Sequence, residues 1–490
     1  MKPVLLALVF ILSVLNVHSA TLMVKKDTIT FSVTAYDGLE LPAQVIYPAE
    51  KPIGGVVVFI NGSTPSDEKG NMAPMLDENG HPVLVRQDFY SRFQDFMPTL
   101  GYATVSMAKR SLVEYSKIPR PTLDELALDV AFLVKELRKK EIITADNEFY
   151  LVGYSEGSIV ASKVLGWLKE QPRACILLGS GSSAFDYNKS WEEWPHAALY
   201  KRLKNLSDEE IKKEYGQIKD IMISIRNMDE ETFENEYKKS KPHGFGIAQW
   251  ESFYIDSEIS LYYPEDNLID ANIPLLICIG ENDMAMPERR AFMTYQNLLD
   301  RGFDKTTYKM IPEEVHQYRK YDVFGIIASW ISSDFGSTNF TITPAAQELI
   351  DKYTVHQELK SEFKKVPFSG SPEKVLSFYR KAVSEKMTDT DTWFTLGVKL
   401  VGNGCMNEAY TSFSKSNVEG TMIQSGSCTW LGHLNDLKGN RMQAQEFYRK
   451  ALDVYPGFPV QHSQWEMSLS KEWLSDRIEH PFTSEMLKTK

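Results

Sequence analysis

The stretch Glu148-Phe149-Tyr150-Leu151-Val152-Gly153-Tyr154-Ser155-Glu156-Gly157-Ser158-Ile159-Val160-Ala161-Ser162-Lys163-Val164-Leu165 decides the fold. Its first five residues read as a buried strand, and Ser158 to Leu165 read as a helix. Gly153-Tyr154-Ser155-Glu156-Gly157 lies between them, with the serine at the tip of a sharp turn. Such a turn holds its serine in a strained backbone conformation. A side chain at either flanking position would meet the neighbouring strand or helix, so both flanks are glycine. The turn lifts the serine oxygen to the mouth of the sheet, and the helix N-terminus behind it favours developing negative charge.

Strand, serine turn and helix together resemble the nucleophile elbow of the α/β hydrolases. That fold carries its other two catalytic groups in the order acid, then histidine. Ile273-Pro274-Leu275-Leu276-Ile277-Cys278-Ile279-Gly280 reads as a buried parallel strand, and Asp283 falls in the loop after it. Glu281, two residues earlier, is a second candidate acid. A helix is expected over 287–299 and a strand over 305–311; the following loop, Pro312-Glu313-Glu314-Val315-His316, supplies the histidine. The resemblance implies that Ser155 is the nucleophile, that His316 is its general base and that Asp283 orients the imidazole. It also implies that the backbone N–H of Glu156 is one oxyanion donor.

Gly54 to Ile60 is another buried strand, followed by Asn61-Gly62-Ser63-Thr64-Pro65-Ser66-Asp67. This loop is similar to the His-Gly-Ser-Gly-Pro loop of bacterial serine esterases and dienelactone-hydrolase-like proteins, with Asn61 in place of the histidine and Thr64 in place of a glycine. The similarity makes the Ser63 N–H the second oxyanion donor and sets Gly62 against the substrate. It covers residues 28–335, with Tyr36 to Pro42 as the opening hairpin turn, Phe89 to Gly101 as the first helix and Tyr102 to Met107 as the fourth strand. Lys109-Arg110-Ser111 stands where the family often has Asp-x-Arg-Gly-x-Gly-x-Ser. Lys109 and Arg110 are candidates for binding a substrate carboxylate, with a structural salt bridge as the alternative. Leu126, Val130, Leu133, Val134 and Leu137 are at helical spacing in a helix over 122–140. The implied architecture is α/β: a mostly parallel eight-stranded sheet in a hydrolase domain over 21–335, with a helical lid inserted at 185–263. Trp191 in the lid is a further candidate substrate contact. The lid's aromatic residues serve equally as its own core.

A chain of 490 residues is too long for one ordinary core. The net charge of −12 argues against a general nucleic-acid role. Met1-Lys2-Pro3, an apolar run over Val4 to Val17 and small residues around Ser19 and Ala20 read as a cleavable signal peptide over 1–20, hence a secreted or periplasmic protein. The run is shorter than the ~20 residues of a membrane span, so no transmembrane anchor is expected. The four cysteines are expected to be unpaired: Cys175 and Cys278 lie inside strands, and Cys405 and Cys428 lie near opposite ends of a helix. Asn61, Asn188, Asn205 and Asn339 begin glycosylation sequons; a glycan on Asn61 would block the loop at Gly62, which favours a bacterial exported protein. Gly179-Ser180-Gly181-Ser182-Ser183-Ala184 has the spacing of a dinucleotide fingerprint, but it follows a late strand and lacks an acidic partner. It reads instead as a loop near the active site. No metal-ligand spacing appears, and no cofactor is expected.

After Ser333 the pattern reads as wholly helical and repeats. Leu396-Gly397, Ala409 and Phe413 recur 35 residues later as Leu431-Gly432, Ala444 and Tyr448. With Trp393, Ala451 and Pro456 they resemble the tetratricopeptide pattern. Phe378-Tyr379-Arg380-Lys381-Ala382 resembles Phe447-Tyr448-Arg449-Lys450-Ala451. The resemblance implies an all-α repeat domain over 336–490, with a helix over 343–365 completing the stack and the segment after Pro459 capping it. A protein partner or self-association is expected there.

The function expected from these features is an exported serine hydrolase acting on a carboxylic ester. Two alternatives stand beside it: a serine peptidase or amidase with the same triad, for which Glu156 would face a substrate amine, and a non-catalytic exported scaffold acting through its repeats.

Overall fold

The apolar runs around Val58, Leu151, Ile176 and Ile277 have no polar face, so each must be covered on both sides. The computed structural model describes residues 27–48, 54–70, 75–76, 82–83, 88–113, 121–145, 148–181, 190–227, 231, 262–319, 322–340, 347, 351, 358–359, 362–363, 365–387, 389–418, 423–455, 460–462, 465 and 467–487. In it these runs are the centre of an eight-stranded sheet. Its strands are β1 (Thr28–Thr34), β2 (Glu40–Ile46), β3 (Val56–Ile60), β4 (Ala103–Met107), β5 (Phe149–Tyr154), β6 (Ala174–Leu178), β7 (Leu275–Gly280) and β8 (Thr306–Ile311). The spatial order is β1-β2-β4-β3-β5-β6-β7-β8. β2 runs antiparallel to both β1 and β4, and every other pairing is parallel. All residues of β3, β5, β6 and β7 are buried, whereas edge strand β1 is mostly exposed.

The helices of this part are α1 (Asp88–Thr99), α2 (Arg110–Val113), α3 (Leu123–Lys139), α4 (Glu156–Leu165), α5 (Pro195–Lys204), α6 (Asp208–Asn227), α7 (Glu265–Ala271), α8 (Glu288–Asp300) and α9 (Asp322–Ser332). They cover both faces. Phe89, Phe93 and Phe96 of α1 pack with Phe324, Ile327 and Trp330 of α9 on one side. Leu126, Val130, Leu133 and Leu137 of α3 pack with Ile159 and Val164 of α4 on the other. A capping box starts α3: Thr122 Oγ accepts from Glu125 N, and the Glu125 carboxylate accepts from Thr122 N. An antiparallel second strand in an otherwise parallel sheet, with Ser155 at the C-terminal end of central β5, is the α/β-hydrolase fold.

Of the expected lid, residues 190–227, 231, 262 and 263 are described. Trp194, Ala197 and Tyr200 from Trp194 and α5 bury against Ile211 and Tyr215 of α6. The expected signal peptide lies outside the described residues. Among the described residues no helix is long and apolar enough to cross a membrane.

The C-terminal part holds α10 (Pro372–Ser384), α11 (Thr390–Gly402), α12 (Met406–Ser416), α13 (Gln424–Leu437), α14 (Arg441–Asp453) and α15 (Lys471–Glu479). The two helix pairs α11/α12 and α13/α14 use the same contact. A Cβ on Gly397 would lie 2.7 Å from the Phe413 ring, and one on Gly432 would lie 2.4 Å from the Tyr448 ring. The 35-residue recurrence therefore repeats a close approach of paired helices.

One expectation is corrected here. The region is not wholly helical, because Val460–His462 pairs antiparallel with Met467–Leu469. Met467 and Leu469 are buried while Ser468 between them is half-buried, a period of two that a strand satisfies and a helix does not. This ribbon and Trp465 enter the same core as Trp393 and Trp430. Of the helix expected over 343–365, residues 347, 351, 358, 359, 362 and 363 are helical, Lys365 lies in a turn, and the others lie outside the described residues. All four cysteines are free. Burial pushes the thiols of Cys175 and Cys278 up to about 12.

Candidate active site

Ser155 follows β5 at φ 55° and ψ −124°, outside the regions open to most residues. Two backbone approaches enforce this turn. A Cβ on Gly153 would lie 2.3 Å from the Gly157 carbonyl oxygen, and one on Gly157 would lie 2.2 Å from that of Ile60. Strain of this kind costs about 1–3 kcal/mol and persists only where packing over-determines it. The Ser155 N–H donates to Leu178 O at 2.8 Å, which ties the turn to β6.

His316, in the loop after β8, approaches Ser155 from the β7–β8 side. Its Nε2 lies 3.0 Å from Ser155 Oγ and its Nδ1 lies 2.7 Å from Asp283 Oδ2. An ionised carboxylate only accepts, so Nδ1 carries the ring proton and Nε2 is left to accept from the serine hydroxyl. Asp283 is fully buried. Its other oxygen, Oδ1, accepts from Ala285 N at 3.0 Å and Met286 N at 2.8 Å, which fixes the carboxylate plane. Gly179, at φ +58°, lies against this pair: a Cβ there would come within 3.1 Å of the imidazole and 3.3 Å of Asp283 Oδ2. Gly179, the first residue of the stretch with the spacing of a dinucleotide fingerprint, is thus packed against the histidine. Glu281, the second candidate acid, faces away. Its carboxylate takes Arg202 Nη1 at 2.8 Å and Glu313 N at 2.9 Å.

The loop 61–67 sits over the serine, and a Cβ on Gly62 would lie 3.2 Å from Ser155 Cβ. The Gly62 N–H donates to Tyr90 Oη at 2.8 Å, so it is already committed. Ser63 is exposed at the rim. Glu156 opens α4, where first-turn N–H groups have no intrahelical acceptor. Asn61 is buried and donates through Nδ2 to Ser66 Oγ at 2.7 Å, so its amide has no room for a glycan in the folded chain.

Neither basic residue after β4 is open to a substrate. Arg110 is 2% exposed and carries Asp129 at 2.7 Å and Asp37 at 2.7 Å, an arrangement that corrects the expected contact with substrate and is the salt bridge weighed beside it. Lys109 Nζ pairs with the Glu156 carboxylate and donates to Gly62 O at 2.6 Å. Trp191 packs on the cluster of Trp194, Tyr200, Ile211 and Tyr215, with Lys201 Nζ 5.4 Å from its ring centre. Helix α5 is anchored to the loop after β7: Arg202 donates to Glu281 O at 2.6 Å, and Met284 joins the cluster around Trp194. Burial lowers the His196 imidazole in this helix to about 4.

Several site residues were not found by reading the sequence. Tyr154 Oη donates to His316 O at 3.1 Å, and its ring centre lies 5.2 Å from the imidazole. Arg92 Nη2 donates to Gln317 O and Tyr318 O, holding the chain just past His316. Arg290 is buried near Asp283; burial lowers its guanidinium to about 10 against the pull of that carboxylate. Tyr154 occupies a variable place in the serine pentapeptide, and the two arginines lie in helices with no motif, so no sequence signal marks them. Among the described residues no group of three or more His, Cys, Asp or Glu is arranged to hold a metal.

No family model matches the chain, and no curated protein matches it. Solved structures do. A carboxyl esterase from Bacillus coagulans is 14% identical with a TM-score of 0.41, over 63% of this chain and 99% of that one. Est1E from Butyrivibrio proteoclasticus is 15% identical with a TM-score of 0.37, over 63% and 99%. A dienelactone hydrolase from Anabaena variabilis is 12% identical with a TM-score of 0.37, over 64% and 97%.

Proposed function

We propose that the chain is an exported serine hydrolase that cleaves a carboxylic ester through an acyl-enzyme. The observation that carries this reading is the continuous line Ser155 Oγ–His316 Nε2 at 3.0 Å and His316 Nδ1–Asp283 Oδ2 at 2.7 Å, set on a strained turn at the end of β5. Ser155 Oγ attacks the ester carbonyl carbon while its proton passes to His316 Nε2. The carbonyl oxygen becomes an oxyanion, received by the Glu156 and Ser63 N–H groups, each worth about 3 kcal/mol. Collapse breaks the bond to the leaving oxygen, which takes the proton from His316 and departs as the alcohol. Water then attacks the acyl carbon as His316 takes its proton. The carboxylic acid leaves and the Ser155 hydroxyl is restored. Asp283 holds the imidazole in the required tautomer and balances its charge when protonated.

An aminopeptidase with the same triad would need a carboxylate free to meet a substrate amine. The Glu156 carboxylate is 6% exposed and paired with Lys109, so it is not offered to one. The helix pairs of the C-terminal part are read as tetratricopeptide-like repeats that serve a partner or a second copy.

The test is labelling with a fluorophosphonate, with the adduct mapped by mass spectrometry. A Ser155 adduct lost in Ser155→Ala and His316→Ala, with turnover of a p-nitrophenyl ester well above that of its matched anilide, is the expected result. Folded protein that takes no label and turns over no ester would sink the proposal.

A further inference from the structure

Lys109 lies on the oxyanion side of the serine and is 9% exposed. Its ammonium pairs with the Glu156 carboxylate and donates to Gly62 O at 2.6 Å. These belong to the two segments that each supply an oxyanion donor, the loop after β3 and the start of α4. The Gly62 carbonyl shares its peptide plane with the Ser63 N–H, and in a trans peptide the two point in opposite directions. A cation holding the carbonyl on one side therefore aims the N–H to the other. The Gly62 N–H is anchored by Tyr90 Oη at 2.8 Å. Lys109 N donates to Ser66 O at 2.8 Å, so the lysine backbone grips the far end of the same loop. Beyond this, Glu156 brings a buried carboxylate next to the place where the oxyanion forms. Unbalanced, that charge would oppose the reaction, and in a low-dielectric site the opposition is strong.

We propose that Lys109 is a positioning residue for the oxyanion hole: it locks the Gly62–Ser63 peptide with its N–H toward the reacting carbonyl and cancels the charge of Glu156. The proposal rests on the serine-hydrolase reading above. It replaces contact with a substrate carboxylate as the work of Lys109. The lysine touches no reacting atom. Its effect passes through the Ser63 N–H and the Glu156 side chain.

The test compares the full-length protein with Lys109→Met and with the double variant Lys109→Met/Glu156→Gln, which removes both charges and is the folding control. Three quantities are read: kcat and KM on a p-nitrophenyl ester, the rate of fluorophosphonate attachment to Ser155, and the affinity of a boronic acid that mimics the tetrahedral intermediate. Lys109→Met is expected to lower kcat by about 10²–10³-fold with little change in KM, and to weaken the boronic acid in step with kcat/KM. The double variant should recover about tenfold of kcat by losing the buried charge, yet stay below wild type because Gly62 O has lost its donor. Wild-type kcat in Lys109→Met overturns the proposal, as does wild-type kcat in the double variant. If Lys109→Met does not fold, the double variant decides alone by the same criterion. If the wild type takes no label at Ser155, the hydrolase reading itself has failed; a labelled wild type beside an equally active Lys109→Met fails only the Lys109 proposal.

Discussion

Asp283 divides its two oxygens between two tasks. Oδ1 takes the N–H groups of Ala285 and Met286, and Oδ2 takes the His316 ring. In Asp283→Asn the carbonyl oxygen keeps the two backbone donors, so the NH₂ group faces Nδ1 and forces the ring proton onto Nε2. Nε2 then cannot accept from Ser155. We expect kcat to fall by about 10⁴-fold with the fold intact, read by ester turnover beside circular dichroism. Gly157 is constrained at the same scale. A methyl group there would lie 2.2 Å from Ile60 O and 2.6 Å from Asn61 O, both backbone atoms that cannot swing aside. Gly157→Ala should cost at least about 1–3 kcal/mol, seen as a lower urea midpoint, and should displace the loop after β3 that the clash pushes.

Between elements, the same economy appears in the C-terminal helix pairs. Gly432→Ala places a methyl 2.4 Å from the Tyr448 ring and should destabilise the α13/α14 pair by about 1–3 kcal/mol. An exposed Gly439→Ala, with open space but φ +79°, should cost only about 1 kcal/mol. Chemical denaturation of the two variants checks the ranking. Around the ribbon, Trp430 Nε1 donates to His462 Nε2 and Trp473 Nε1 donates to His433 Nε2, both at 3.0 Å, and Phe482 stacks on His433. Both imidazoles are therefore acceptors and neutral. Burial holds His462 down to about 3 and His433 well below its usual range, with Arg477 also disfavouring the charged form of His433. The unfolded chain binds protons near pH 6.5 that the native core refuses. Stability from these histidines is full above that pH and falls as pH drops through the window down toward 3, by about 1.4 kcal/mol per unit for each. Melting curves at pH 8 and pH 5 should show it.

Across the whole molecule, the eight-stranded sheet with its helices and the C-terminal helices each bury apolar residues of their own. Scanning calorimetry should therefore resolve two transitions. Acid should lower the one belonging to the C-terminal helices further, because two imidazoles held neutral by burial, His433 and His462, lie there against one, His196, in the other part. A single transition that moves as one unit with pH would show instead that the two parts unfold together. The fold was legible because its signals are local: four wholly apolar runs that need cover on both faces, a helix period over Leu126 to Leu137, and two glycines whose side chains would strike backbone. The order Ser155, Asp283, His316 was legible for the same reason, each residue standing at a strand end that the apolar run before it marks. What the residue types left open, tertiary contacts decided. Asp283 rather than Glu281 meets the imidazole because the turn after β7 sends one carboxylate inward to two backbone N–H groups and the other out to Arg202. Arg110 is an internal ion pair, and Lys109 joins the loop after β3 to α4, because residues 37, 62, 129 and 156 converge there from distant parts of the chain. Sequence periodicity reports which way a side chain faces along its own element; which charge it meets depends on how separate elements pack, and only the folded chain carries that.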